Sequence, residues 1–190
     1  MRKLILVRHT ATAQQPDVPA REWALSPSGQ ADATRLAELL ATYAPSTIIA
    51  SDELKAQQTA RPLADRLGLP LTVMAGLHEH ERRSVGYLGN VAFQATMARF
   101  FAEPDTLVFG EETAHQALTR FSQAIGDALA LHPSGDIALF THGTVLSLFV
   151  AAHSDTDPMT FWRTLHLPAW MVFTAPNLDL LETHLRLPES

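Results

Sequence analysis

Short, wholly apolar runs alternate along the chain with segments whose apolar positions recur every three or four residues. Leu4–Val7 and Ile137–Phe140 are the clearest runs; an unbroken β-prone apolar stretch of this kind predicts a strand buried on both faces. Thr47–Ala50 and Leu71–Met74 predict two further strands, and Trp170–Thr174 and Leu180–Leu187 two closing ones, the last alternating enough for a sheet edge. Between them lie predicted helices. Ser26-Pro27 reads as an N-cap followed by proline at the first helical position, with Leu36, Leu39 and Leu40 on the apolar side before Pro45. A helix opening at Ser51-Asp52 runs to Leu67, with Pro62 as a kink and Gly68 as a C-cap. Thr113 with Gln116 forms a capping box ahead of a long amphipathic helix, Thr144–His153 is another, and Asp157-Pro158 caps a short one. Residues 75–109 are the least regular, although Phe93, Met97, Phe100 and Phe101 fall at helical spacing. That stripe reads as a core face, with a lid over a ligand as the sharper alternative. Strand–helix alternation without repeats or linkers predicts one α/β domain over 1–190, with a mainly parallel sheet.

Composition narrows the function classes. An apolar share of 46% against 18% charged excludes a disordered or collagen-like chain. A net charge of −6 argues against nucleic acid or an anionic membrane as partner, yet leaves room for a small anionic substrate held by a few buried cations. The absence of cysteine removes disulfides, zinc-thiolate and iron–sulfur sites, and thiol nucleophiles. Leu4–Val7 is too short for the apolar core of a signal peptide before Arg8 interrupts it, and no run reaches the length of a membrane span. A cytoplasmic location is expected.

The two most apolar strands share a feature that points to chemistry. Each is followed at once by a histidine: Leu4–Val7 by Arg8-His9, and Ile137–Phe140 by Thr141-His142. Ligands of open α/β sheets bind at the carboxyl ends of the strands. If these two strands are parallel neighbours, both imidazoles meet at one rim beside Arg8. A guanidinium offers a planar fork for phosphate oxygens, and a neutral imidazole can attack phosphorus. A single strand-end histidine more often caps backbone or faces solvent; the paired placement favours phosphate chemistry.

The surrounding residues resemble the histidine phosphatase superfamily, the phosphoglycerate mutase-like family. Leu6-Val7-Arg8-His9-Thr10 with Thr12 resembles its Arg-His-Gly signature, and Leu25–Ala31 its Leu-Thr-x-x-Gly helix start. Ala50-Ser51-Asp52 through Gln58-Thr59-Ala60 resembles the second phosphate-site helix, and Gly76-Leu77-His78-Glu79 the Leu-x-Glu segment. Gly110-Glu111-Glu112-Thr113 and Thr141-His142-Gly143 resemble the last two motifs, so the likeness runs in family order to about Val145. It implies a three-layer sandwich with a mainly parallel central sheet and helices on both faces.

For the site, the resemblance implies His9 as nucleophile forming a phosphohistidine, Glu79 as general acid and base, and Arg8 and His142 as catalytic phosphate ligands. Thr10, Lys55 and Gly143 complete the implied phosphate site, with no metal or other cofactor. Three positions depart from the family pattern. Lys55 stands where an arginine is usual and cannot form the bidentate fork; Thr10 replaces a glycine, and Ala11 an acidic residue. Glu81 lies on the same side as Glu79 if the segment is extended, so it competes for the acid's place. Gln15, Arg82 and Arg83 are candidate substrate contacts, the arginines for a second anionic group. His78 and His80 form a His-x-His without a further ligand at diagnostic spacing, a weak sign of a metal hydrolase. The expected activity is metal-independent phosphomonoester hydrolysis of a small phosphorylated substrate. A mutase-type phosphotransferase and a catalytically weakened phosphate-ligand binder are the alternatives, and the Phe93–Phe101 helix or an edge strand offers a surface for a homodimer.

Overall fold

In the computed structural model, which describes residues 1–188, strands and helices alternate as their patterns dictate. Strand β1 (Arg2–Arg8) leads to helix α1 (Pro27–Ala41), β2 (Thr47–Ser51), α2 (Leu54–Leu67) and β3 (Leu71–Met74). Helices α3 (Asn90–Ala102) and α4 (Ala114–Leu131) precede β4 (Ile137–Thr141), followed by α5 (Gly143–Ala152) and α6 (Pro158–Thr164). Strands β5 (Ala169–Ala175) and β6 (Leu180–His184) close the chain. The strands form one six-stranded sheet in the order β3-β2-β4-β1-β5-β6. The first four are mutually parallel, while β5 and β6 are antiparallel to their neighbours.

Side chains alternate across each strand, so the two faces of the sheet bury different residues. Ile5, Val7, Ile48, Ala138 and Phe140 pack beneath Leu36 and Leu40 of α1 and Ala60 and Leu63 of α2. Leu4, Leu6, Ile49, Leu139 and Phe173 face the other way, against Phe100 of α3, Phe121 and Ile125 of α4, and Phe149 of α5. The result is an α/β three-layer sandwich. The apolar stripe on α3 enters this second core through Met97, Phe100 and Phe101, and only its first member, Phe93, reaches a cavity wall.

Ser26 caps α1 by accepting from the Gly29 N–H, and Thr113 with Gln116 forms the reciprocal capping box on α4. Two predicted boundaries move. Helix α2 begins at Leu54 rather than at Ser51-Asp52, because Ser51 stays in the β2 ladder and Glu53 keeps extended backbone at the N-cap. It then runs through Pro62 to end at Gly68. Strand β6 stops at His184, short of Leu187, because the Leu185 carbonyl leaves the ladder and accepts the His166 N–H at 2.9 Å. No helix among the described residues is long and apolar enough to cross a membrane.

Candidate active site

The register of β1 against β4 decides what meets at the rim. Leu6 lies opposite Leu139 and Arg8 opposite Thr141, so His9 and His142 leave the sheet side by side. The His9 N–H donates to the Thr141 carbonyl at 3.1 Å, and the two imidazole centroids are 5.3 Å apart. Residues at and beyond the ends of β2 and β3 complete the cluster: Ser51, which ends β2, Glu53 and Lys55 after it, and Glu79 after β3. The cluster borders a cavity of about 740 Å³ whose inner wall includes Arg8, His9, Glu53, Lys55, Glu79 and Thr144, while Ser51 and His142 are fully buried off that wall.

His9 is poised in one tautomer. Its Nδ1 lies 2.8 Å from the Thr10 carbonyl, which accepts only from a protonated nitrogen, so Nε2 keeps its lone pair. Burial pushes its pKa well below the usual imidazole range, with His142, Lys55 and Arg8 adding repulsion that outweighs the Thr10 carbonyl. The ring is therefore neutral. His142 is also held neutral by burial and by Lys55, against the pull of Glu79. Its Nε2 meets the Ser51 hydroxyl at 2.9 Å, while its buried Nδ1 has no hydrogen-bond partner among the described residues.

Arg8 is locked from below. Its Nη1 donates to the Leu165 carbonyl at 2.7 Å, and Nε is buried without a partner among the described residues. Burial lowers its pKa to about 10, with Glu79 partly offsetting, so the guanidinium stays charged. Gly143 is what lets it lie there: a Cβ on that residue would sit 2.9 Å from Nε and 3.0 Å from Cζ of Arg8.

Glu79 sits on the N-terminus of α5. Its carboxylate accepts the N–H groups of Thr144 at 3.1 Å and Val145 at 3.3 Å, where the helix dipole favours negative charge. Burial alone would raise its pKa, yet Arg82, His142 and the backbone N–H groups of Thr144 and His80 hold it down at about 2. Glu81 does not share this place, because Arg83 at 2.6 Å and His78 at 3.4 Å engage it.

Lys55 is not free. Its ammonium is paired with Glu53 and donates to the Ala20 carbonyl at 2.8 Å. Glu53 was not a candidate in the sequence, since an acidic residue at a helix start usually signals only capping; its other oxygen accepts the Glu79 N–H at 2.9 Å. Thr10 turns away from the cavity: its N–H donates to the Thr59 hydroxyl at 3.1 Å, and its side chain is fully buried. Gln15 is exposed and off the cavity wall, which is lined by Gln14 instead. Arg82 and Arg83 line the outer part with Tyr87, Phe93 and Trp162. The Arg82 guanidinium lies 5.1 Å from the Phe93 ring centroid, with Nη1 buried and unpartnered among the described residues. His80 is separated from His78, wedged between Phe100 and Phe109 with Nε2 against the Glu112 carbonyl. Among the described residues no group of three or more His, Asp or Glu side chains is arranged to hold a metal ion.

The Glu79 segment depends on Arg120, which no motif singled out, and on Glu111 and Glu112 of the motif ahead of α4. Arg120 of α4 donates to the carbonyls of Gly76, His78 and Glu79 and pairs with Glu112 at 2.5 Å. Glu112 in turn accepts the Glu81 N–H, and Glu111 those of Arg83 and Ser84.

Residues 4–174 match the model of the histidine phosphatase superfamily, branch 1. The chain belongs to that superfamily. Solved structures share the phosphoglycerate mutase-like fold over nearly the whole length. A mycobacterial glucosyl-3-phosphoglycerate phosphatase, in complex with VO3, superposes with a TM-score of 0.77 at 20% identity, covering 98% of this chain and 100% of that one. A putative alpha-ribazole-5'-P phosphatase from Escherichia coli gives 0.76 at 18% identity, covering 98% of each chain. A phosphoserine phosphatase from Entamoeba histolytica, an H9A mutant in complex with phosphoserine, gives 0.75 at 16% identity and 97% of each chain. No curated protein matches the sequence.

Proposed function

We propose that the chain is a phosphomonoester hydrolase working through a phosphohistidine on His9. The observation that carries this reading is the His9 tautomer: on a residue that lines the cavity, Nδ1–H is tied to the Thr10 carbonyl, which leaves Nε2 its lone pair. Nε2 attacks phosphorus, the ester P–O bond breaks, and Arg8 and His142 stabilise the charge on the phosphoryl oxygens. Ser51 supports the histidine's part. Its hydroxyl accepts the Glu53 N–H at 3.3 Å and can donate its own proton to His142 Nε2, leaving Nδ1–H for phosphate.

Glu79 moves the protons. Empty of substrate, it is a carboxylate. A monoanionic phosphate ester gives up its proton to Glu79 on binding, and Glu79 passes it to the leaving oxygen. Water then loses a proton to the Glu79 carboxylate while attacking the phosphohistidine; the P–N bond breaks, His9 returns neutral, and Glu79 gives that proton to the inorganic phosphate, which leaves as the monoanion. No step requires a metal. The substrate is a small phosphomonoester, with Arg82 and Arg83 available to a second anionic group.

The test is hydrolysis of an aryl phosphate with EDTA present, by wild type and His9→Ala. Activity that survives EDTA and disappears in His9→Ala, with acid-labile label trapped on wild type from a 32P substrate, is the expected result. Equal activity in His9→Ala overturns it. The withdrawal of the Thr10 N–H and the Lys55 ammonium into internal contacts favours a second reading, a phosphate-ligand binder with weakened turnover. Saturable binding of phosphate esters by wild type without product formation would select that reading.

A further inference from the structure

We propose that Glu53 is a positioning residue that sets the charge at the inner end of the cavity: by neutralising Lys55 it limits how tightly the site holds inorganic phosphate. The proposal rests on the reading of this cavity as a phosphate site.

Glu53 is 5% exposed and lines the cavity, although it occupies the N-cap of α2. A carboxylate there ordinarily accepts N–H groups from its own helix. This one makes no such bond. It turns instead to the site: one oxygen takes the Lys55 ammonium, the other the Glu79 N–H at 2.9 Å, and that second oxygen is 3.8 Å from His142 Nε2. Lys55 is buried to the same degree, so the two charges face each other out of water.

The charge balance follows. Arg8 and Lys55 are the cations at the inner end, with the Arg82 guanidinium of the outer wall adding its field at Glu79; Glu53 and Glu79 are the anions; His9 and His142 are neutral. Without Glu53, a phosphate would meet the full charge of Lys55 beside that of Arg8. Buried charges this close are weakly screened, so one carboxylate changes anion affinity by a large factor. A phosphatase must release inorganic phosphate after every turnover, and a site that binds it too well stalls there. The same carboxylate ties the cation's position to the Glu79 backbone, so both move as one unit.

The experiment is calorimetric titration with inorganic phosphate of wild type, Glu53→Gln, Lys55→Met and the double variant, with melting temperatures in parallel. Glutamine keeps an acceptor for the Glu79 N–H and removes only the charge. The expected result is opposite signs: Glu53→Gln binds phosphate about tenfold more tightly, Lys55→Met about tenfold more weakly, and the double variant returns close to wild type. A residue that merely holds the loop would weaken binding in both single variants. Unchanged or weaker binding by Glu53→Gln overturns the proposal. If Glu53→Gln does not fold, Glu53→Ala in the Lys55→Met background supplies the comparison, and failure to tighten binding there also overturns it. Wild type that binds no phosphate refutes the phosphate site itself. Wild type that binds it, with no gain in Glu53→Gln, refutes only the role given to Glu53.

Discussion

At its inner end the cavity is walled by residues that leave β1, β2 and β4, whereas much of its outer wall comes from the irregular segment between β3 and α3. The inner residues inherit their positions from a hydrogen-bonded parallel ladder, and the backbone under His9 and His142 cannot shift without breaking it. The outer residues are held by side chains reaching to backbone, chiefly Arg120, Glu111 and Glu112. Gly110 is part of that clasp: its φ of +75° suits glycine, and a Cβ would fall 2.2 Å from the Glu81 carbonyl. Rigid backbone suits bond-making groups, and an adjustable wall suits selection among substrates. Changes at the inner end are therefore expected in kcat, and changes at the outer wall in KM.

Glu79 sharpens that comparison, because it belongs to the outer segment by sequence and to the inner end by its seat on α5. Glu79→Gln keeps an acceptor for the Thr144 N–H but cannot move a proton. A fall in kcat/KM, which reports the phosphoryl-transfer step alone, of about 10²–10³ is expected with alkyl phosphates, and a much smaller one with 4-nitrophenyl phosphate, whose leaving group needs no acid. Glu81→Gln, measured beside it, is expected to stay within about threefold of wild type because its carboxylate is paired outside the α5 seat. Equal losses in both variants would erase the distinction between the two carboxylates.

Gly143→Ala breaks the inner end without touching a reactive group. The added Cβ meets Arg8 Nε at 2.9 Å, and the guanidinium cannot retreat while Leu165 holds Nη1. A loss of about 1–3 kcal/mol in unfolding free energy is expected, of the order of other overpacked sites, together with weaker phosphate binding. Thermal melts and phosphate titration of the same sample check both.

The difference between the two ends also explains what the sequence could disclose. The strands, the helix caps and the pairing of His9 with His142 were legible because periodicity and caps act within a few residues, and because one parallel contact brings both histidines together. The Arg8–Gly143 contact has no local signal, since a glycine after a histidine looks the same whether or not a guanidinium lies over it. Glu53 read as an ordinary helix-start acid; only the turn of its side chain toward Lys55 gives it a place in the site. Gly110-Glu111-Glu112 was visible as a motif ahead of α4, but its hold on the Glu79 segment is a long-range contact that no spacing rule encodes. Gln14 rather than Gln15 borders the cavity, a difference the sequence could not show because loop backbone has no period from which to read a facing direction.

Acid tests the inner end in another way. His9 and His142 are buried neutral, with pKa values well below the ordinary 6.5. Between that value and their lowered ones the unfolded chain binds protons that the folded chain does not, so stability is full above about pH 6.5 and declines as pH falls. Going from about pH 7 to about pH 5.5 is expected to cost about 1 kcal/mol per histidine, roughly 2 kcal/mol together. Urea unfolding of wild type and His9→Gln at both values is the measurement. The variant should lose about half of that pH dependence; an unchanged slope would mean that His9 is protonated in the folded protein.

The smallest expected effect separates two adjacent arginines on the outer wall. Arg82 lies over Phe93 with a buried, unpartnered Nη1, a donor whose desolvation a ligand anion would repay. Arg83 is exposed and paired with Glu81, so its charge is already compensated and screened. For a phosphomonoester carrying a carboxylate, Arg82→Ala is expected to raise KM about tenfold and Arg83→Ala less than about twofold, with kcat little changed in either. A neutral phosphomonoester is the control, because it offers Arg82 nothing to pair with. A KM that rises equally for both substrates would make Arg82 a packing residue of the wall. A rise confined to the carboxylated substrate would place anion selection at the outer end and leave bond-making to the inner one.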